Sequence, residues 1–164
     1  EGAKQAYEEA LDLFADFAPA WRALARLESE QGRSKEAVRL LDRALQGNPF
    51  DAGAAFELGK ALSALERLES AAKAFDVAAG LIPDNPDYTL ELAKARVGSG
   101  NPEGAIAACR EFLERNPENR MIRSILETVQ QHLKPAASAA PGGNARLGES
   151  PGLQADSSQR NPHA

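Results

Sequence analysis

Positively charged residues recur at intervals of 34 positions in this 164-residue chain, as Arg26, Lys60 and Lys94. If each lies on a helix and the helices stack at ordinary distances of about 8–10 Å, the three cations form a row with that spacing. An extended peptide advances about 3.3 Å per residue, so acidic side chains at every third position of a partner could meet successive cations. The spacing therefore favours recognition of an acidic protein segment.

The two lysines also have a simpler explanation. Glu57 precedes Lys60 by three positions, and Glu91 precedes Lys94 by three. Acids and bases at that spacing on one helix form surface ion pairs worth about 0.2–0.5 kcal/mol. Because Arg26 has no such acid before it, ligand binding is more strongly indicated for the arginine than for the lysines.

Other reactive residue types form no catalytic or metal-binding pattern. His132 and His163 are the two histidines, and no Cys/His cluster has the spacing of a zinc site. Cys109 follows Leu41 and Phe75 at the same 34-residue interval, so we expect a core side chain rather than a nucleophile. The sequence predicts no enzyme, no cofactor and no metal site.

Charge and composition argue against several further classes of protein. The net charge of −5 argues against nucleic-acid binding, which usually shows as a clustered basic excess. No stretch approaches the roughly 18 apolar residues of a membrane span. The single cysteine excludes an intramolecular disulfide framework, which leaves the compartment unknown and a cytoplasmic one slightly favoured. Since Glu1 opens directly in repeat material, we interpret the chain as a fragment, in which any upstream targeting signal or domain would not be visible.

The 34-residue interval extends along most of the chain. A fixed period in the range of about 20–50 residues indicates a stacked array of small units rather than one globular core. Apolar, small and helix-ending residues all recur at this interval: Leu24, Leu58 and Leu92; Ala25, Gly59 and Ala93; Ala37, Ala71 and Ala105; Pro49, Pro83 and Pro117.

Each unit is predicted to consist of a helix, a tight turn and a second helix. In residues 18–51, apolar side chains recur at the spacing of one helix face, Gly32 stops that helix, and Ser34 can cap the next. Pro49 ends the second helix, because the residue before a proline is pushed out of helical geometry. A residue able to cap the following first helix stands at the end of each unit, as Asp51, Asn85 and Asn119.

The period divides the chain into three whole units and two partial ones. The whole units are 18–51, 52–85 and 86–119. Residues 1–17 match a second helix whose first helix is missing, and residues 120–134 match a lone first helix whose polar outer face caps the array. Residues 135–164 are rich in Pro, Gly, Ala and Ser, and we expect a disordered tail there.

This pattern resembles the tetratricopeptide repeat family over roughly residues 3–133. The matching residues are Trp21, Leu24, Ala25, Gly32, Ala37, Leu41, Ala44 and Pro49, with counterparts one period later. The chain departs from the family at Glu66, where the turn usually has a small residue, and at Glu28, where an aromatic residue is common. The resemblance implies an all-α, right-handed superhelical solenoid whose first helices line a concave groove for extended or helical peptides.

By register with that family, the groove-facing side chains come from the first helices. The resemblance implies a scaffold or adaptor that binds a partner protein or peptide in this groove. Family members that grip the C-terminal carboxylate of heat-shock chaperones use Lys, Asn and Arg there, whereas Glu57, Asp87 and Glu91 would repel a carboxylate, so we expect that clamp to be absent. The candidate groove residues are Arg22, Arg26, Phe56, Glu57, Lys60, Leu90, Glu91 and Lys94.

Two alternatives stay open. The chain could be the accessory arm of a larger enzyme, such as a glycosyl- or sulfotransferase, in which the groove presents substrate. It could instead self-associate through the open first helix, at Tyr7, Leu11 and Phe14, while the groove stays idle.

Overall fold

The computed structural model describes residues 2–133, and over this range the chain forms eight α-helices and no strand. The helices are α1 (Gly2–Leu13), α2 (Ala18–Glu30), α3 (Ser34–Gly47), α4 (Ala52–Ala64), α5 (Leu68–Leu81), α6 (Pro86–Gly98), α7 (Pro102–Arg115) and α8 (Arg120–Leu133). The tail predicted at 135–164 lies outside the described residues. No helix in the described range is long and apolar enough to cross a membrane.

The helices form one stack in chain order. Each helix packs chiefly on the helix before it and the helix after it, while α2 also touches α4 and α6 also touches α8. Three apolar clusters succeed one another along the stack, in place of a single central core. This is the arrangement of a helical-repeat array, in which each unit contacts only its neighbours. The all-α repeat architecture predicted from the sequence is confirmed over the described residues.

Small side chains allow the two helices of a unit to pack closely. Ala25 on α2 and Ala93 on α6 are buried, and Gly59 holds the equivalent place on α4. A Cβ atom at Gly59 would lie 2.5 Å from the ring of Phe75 on α5, so the ring rests directly on the backbone of α4. Because interiors are close-packed, a larger residue here would push the helices apart.

Polar side chains cap three of the first helices. Each accepts a hydrogen bond from a backbone N–H group in the first turn: Asp51 from Ala54, Asn85 from Asp87, and Asn119 from Ile122. These predicted caps are confirmed. The prediction that Ser34 caps α3 is wrong, because α3 already begins at Ser34 and the preceding residue, Arg33, makes no side-chain cap.

The turn between the two helices of each unit uses left-handed backbone. Gly32 and Gly100 have φ angles of 73° and 82°, and Glu66 at the same place in the middle unit has a φ of 59°. Left-handed geometry costs roughly 1–2 kcal/mol for a residue with a Cβ atom, whereas glycine adopts it readily. The departure from the family pattern at Glu66 is therefore a point of local strain.

We expect Glu66→Gly to stabilise the protein by about 0.5–1 kcal/mol, because glycine relieves this strain. Thermal unfolding followed by circular dichroism would record a higher Tm. Gly32→Ala and Gly100→Ala should lower the Tm, and since a Cβ atom at either position meets no heavy atom within 4 Å, backbone conformation alone would be the cause. A lower Tm for Glu66→Gly would contradict this account of the turn.

Glu28 is a buried acid at the junction between α1 and α2. Its residue is 5% exposed, and its carboxylate accepts hydrogen bonds from Arg33 and, at 3.4 Å, from Lys4 on α1. The Arg33 guanidinium first, and Lys4 after it, hold the pKa of Glu28 below its ordinary value, although burial acts in the opposite direction. A charged residue thus joins two units where the family usually has an aromatic side chain.

The equivalent positions in the next two units have different chemistry. Leu62 is apolar and 5% exposed. Arg96 donates hydrogen bonds to Asp76 on α5, at 2.6 Å, and to the carbonyl oxygen of Gly104, at 2.9 Å. Successive junctions therefore centre on a buried acid, an apolar side chain and a paired arginine.

The lowered pKa of Glu28 makes the stability of this junction depend on pH. The ionised carboxylate stabilises the fold above the pKa that the group has in the unfolded chain, and this contribution is lost as pH falls through the lower folded-state pKa. We expect Glu28→Gln to lower the Tm at pH 7, and the difference from wild type to shrink as pH falls from about 5 to 3. Glu118→Gln, at an exposed loop position, is the control and should show no such trend. A Tm difference for Glu28→Gln that stays constant over this range would contradict the assignment.

Candidate peptide-binding groove

Two adjoining depressions open along α2 and α4. One, of about 370 Å³, lies between α2 and the start of α4; the other, of about 460 Å³, lies between α2, the start of α3 and α4. We call this face, with its continuation on α6, the first-helix groove. Four of the eight predicted groove residues line the depressions: Arg22, Arg26, Glu57 and Lys60. The other four are on α4 and α6 and line neither: Phe56, Leu90, Glu91 and Lys94.

Arg22 is held by two acids, Asp51 at the start of α4 and Glu57 on α4 itself. Its Nε and Nη2 atoms donate to Oε1 of Glu57 at 3.2 and 3.0 Å, and its Nη1 atom donates to Oδ1 of Asp51 at 3.1 Å. The hydrogen bond to Glu57 is the main cause that raises the pKa of Arg22. The absence of a side chain at Gly53 makes room, because a Cβ atom there would collide with the guanidinium. Arg22 therefore links α2 to α4 rather than standing free for a ligand.

This link leaves Lys60 without the ion pair that its sequence neighbour suggested. The Nζ atom of Lys60 lies 5.9 Å from the centre of the Phe56 ring, within the range of a cation–π contact. By contrast, Lys94 donates to Glu91 at 2.7 Å. The intrahelical ion pair predicted as the simpler explanation is thus confirmed for Lys94 and wrong for Lys60.

Arg26 has only a weak partner. Its Nε atom lies 3.9 Å from Oε1 of Glu30, and the two side chains are 66% and 64% exposed. Exposed ion pairs of this kind contribute about 0–1 kcal/mol, because water solvates both charges well. Arg26 and Lys60 are therefore the two cations that the groove presents to solvent around the 460 Å³ depression.

Phe56 and Leu90 are half-buried and contribute to the contacts between first helices. The ring centre of Phe56 lies 4.7 Å from that of Tyr88 on α6 and 5.5 Å from that of Phe75 on α5. Leu90 packs against the apolar cluster that includes Ile122 of α8. Both residues therefore hold neighbouring units together.

Sequence reasoning missed two features of this face. Arg22 pairs with Glu57, which lies 35 positions later in the sequence. That separation is one repeat interval plus one residue, so a search for opposite charges at this spacing could have revealed the pair. Ser29 and Ser34 line the 460 Å³ depression, but Ser34 was singled out only as a helix cap and Ser29 not at all, since serine on a helix carries no distinctive periodic signal. The structure brings these hydroxyl groups together with Arg26 and Lys60.

Solved structures of similar fold include several helical-repeat proteins. A crystal structure of MamA has a TM-score of 0.69 and 18% identity, over 79% of this chain and 75% of that chain. YrrB, a TPR protein with an unusual peptide-binding site, has a TM-score of 0.66 and 20% identity, over 79% of this chain and 66% of that chain. The first TPR of Spaghetti (RPAP3), bound to the HSP90 peptide SRMEEVD, has a TM-score of 0.61 and 19% identity, over 71% of this chain and 92% of that chain. At such identities the likeness shows the fold.

The sequence itself identifies the family. A search of curated proteins found no match to this chain. A family model for the tetratricopeptide repeat, however, matches residues 22–86 and 90–126, which is more than half of the chain and includes the three turns and the recurring small residues described above. This chain belongs to the tetratricopeptide repeat family.

Proposed function

We propose that this chain is a non-catalytic scaffold that holds a segment of a partner protein in the first-helix groove. The observation that carries this proposal is the pair of adjoining depressions along α2 and α4, with Arg26 and Lys60 presented to solvent. A face that combines exposed cations with a half-buried aromatic side chain, here Phe56, suits an extended or helical segment that carries acidic residues.

Two proteins of similar fold support this use of the architecture. One is bound to a peptide of HSP90, and the other has a peptide-binding site. Their identity to this chain is below 25%, so the chemistry of the partner is argued from this chain alone. Glu57, Asp87 and Glu91 place acids on the first helices, which disfavours a partner recognised only through its terminal carboxylate.

A photo-crosslinking amino acid placed on the groove should capture the partner. We expect adducts in host cells from position 64, because Ala64 is exposed and lines the 460 Å³ depression. The matched control is position 73, since Lys73 is exposed on α5, a second helix, and lines neither depression. Mass spectrometry of the adducts would identify the partner and the crosslinked segment. Equal adduct yields from the two positions would contradict binding in the groove.

A second candidate function is self-association through the end of α1. Leu13 and Phe14 are 77% and 68% exposed, and Phe17 is 46% exposed, so three large apolar side chains meet solvent within five positions. Tyr7 and Leu11, also predicted for this contact, are half-buried. Clustered exposed apolar residues commonly mark interaction sites in soluble proteins.

Sedimentation velocity would test self-association directly. If the α1 end forms a dimer contact, the double variant Leu13→Ser with Phe14→Ser should weaken dimerisation by at least tenfold, because two large apolar contacts are removed. Phe50→Ser is the control, since Phe50 is 79% exposed at a different site. A chain that sediments as a monomer at all concentrations, or a dimer that the double variant leaves intact, would count against this function.

A further inference from the structure

We infer that a cavity between α5, α6 and α7 binds a tyrosine side chain of a partner protein. This cavity, which we call the α5–α7 cavity, has a volume of about 580 Å³. It shares no lining residue with the two depressions of the first-helix groove. The residues that line it include Asp76, Ala79, Thr89, Leu92, Arg96 and Ala108.

The α5–α7 cavity and the first-helix groove use different faces of α6. Thr89, Leu92 and Arg96 line the cavity. Because these residues are spaced three and then four positions apart, they share one face of the helix. The groove residues Leu90 and Lys94 are four positions apart on another face. Binding in the cavity is therefore separate from binding in the groove and does not depend on it.

Thr89 supplies a buried hydroxyl group that has no partner. The residue is 4% exposed and lines the cavity. Its hydroxyl group makes no hydrogen bond to any of residues 2–133, whereas the exposed hydroxyl of Thr128 donates to the carbonyl oxygen of Ser124 at 2.8 Å. Buried polar groups are normally hydrogen-bonded, and leaving one unpaired costs free energy. A ligand that brings its own hydrogen-bonding group to Thr89 is therefore favoured.

Arg96 offers the cavity a flat surface rather than free N–H groups. Its Nη2 atom donates to Asp76 at 2.6 Å, and its Nη1 atom donates to the carbonyl oxygen of Gly104 at 2.9 Å. The N–H groups of a guanidinium all lie in its plane, so these two bonds fix the group and leave its faces uncovered by them. Aromatic rings stack on such faces. A ring can thus bind Arg96 without breaking either hydrogen bond.

The charges that line the cavity disfavour an ionised ligand. Arg115, the second arginine of the lining, pairs with Glu111 at 3.3 Å, as Arg96 pairs with Asp76. Two cations and two acids give the lining no net charge. A carboxylate or phosphate would have to compete with an acid that already holds each arginine. The cavity therefore suits a neutral ligand.

Small side chains leave room for a ring beside Arg96. Two periods earlier, between α1, α2 and α3, the positions of Thr89 and Ala108 hold Trp21 and Leu40. The third unit thus lacks an aromatic ring and a leucine that the first unit has at these positions. A neutral ring that carries a hydroxyl group is the side chain of tyrosine, which is enriched in interfaces because it joins an apolar ring to a polar end.

The tyrosine has to come from another protein. This chain contains two tyrosines, and neither is in residues 134–164. The ring of Tyr88 packs against that of Phe56, with 4.7 Å between their centres. Tyr7 is half-buried on α1. Since neither tyrosine is presented freely, a second copy of this chain is a poor source of the ring, and the occupant is a different protein.

Titration of the ¹⁵N-labelled full chain with the blocked peptide acetyl-Ala-Tyr-Ala-amide tests this inference. We expect saturable shifts of the Thr89, Arg96 and Ala108 amide signals. The phenylalanine analogue should bind about three- to tenfold more weakly, because it forms no hydrogen bond with Thr89. The leucine analogue should give no saturable shifts, because it has no ring to stack on Arg96.

Two variants separate the hydroxyl group from the space. Thr89→Val keeps the shape of the side chain and removes its hydroxyl, so it should lower the affinity for the tyrosine peptide to that for the phenylalanine peptide. Thr128→Val removes an exposed hydroxyl on α8 and is the matched control, which should leave both affinities unchanged. Ala108→Leu should abolish the binding of both peptides, because the larger side chain fills the space for the ring.

Four results would overturn the inference: equal affinity of the wild-type chain for the tyrosine and phenylalanine peptides, unchanged affinity of Thr89→Val for the tyrosine peptide, tighter binding of a phosphotyrosine peptide, or shifts confined to groove residues such as Lys60. A spectrum of the free chain at increasing concentration tests the remaining source of the ring. Shifts of the Thr89 and Ala108 signals without peptide would make a second copy the occupant and contradict the assignment to a different protein.

Discussion

The array depends on the close contact between the two helices of each unit. At Gly59 the ring of Phe75 rests on the helix backbone, and Ala25 and Ala93 fill the same position in the neighbouring units. This contact fixes how far apart the paired helices lie before any polar group is considered. Because the spacing is already set by small residues, the junctions between units can differ in chemistry, as Glu28 and Arg96 do, without changing the architecture.

The fold could be predicted from the sequence because its determinants repeat. Caps such as Asp51, small residues such as Gly59 and turn residues such as Gly32 recur at one interval, and each acts within its own unit. Even Glu66 was identified from the sequence as unusual, and its left-handed backbone gives the physical reason. The error at Ser34 is a displacement of one residue, since the positions of helix ends depend on local geometry that the apolar pattern does not specify.

The candidate site was less predictable than the fold, because its charged side chains form ion pairs with residues of other repeat units. Glu57 has Lys60 three positions away on its own helix, yet it pairs with Arg22 of the preceding unit. The planar guanidinium can bind Glu57 and Asp51 together, whereas an ammonium group on a flexible chain gains less from either acid. Periodicity gives the position of each residue within its repeat unit. It does not decide which of two cations pairs with a carboxylate that both could reach. Because Glu57 pairs with Arg22 while Glu91 pairs with Lys94, the row of three cations is reduced to Arg26 and Lys60.

The joint between α2 and α4 differs in kind from the joint between α4 and α6. The first is bridged by the Arg22 guanidinium and two carboxylates, and the second by the tilted, touching rings of Phe56 and Tyr88. Dissolved ions screen charges that are partly open to water and hardly affect contacts between rings. Added salt would therefore weaken the charged contact on the α2 side of α4 and leave the ring contact on its α6 side almost unchanged.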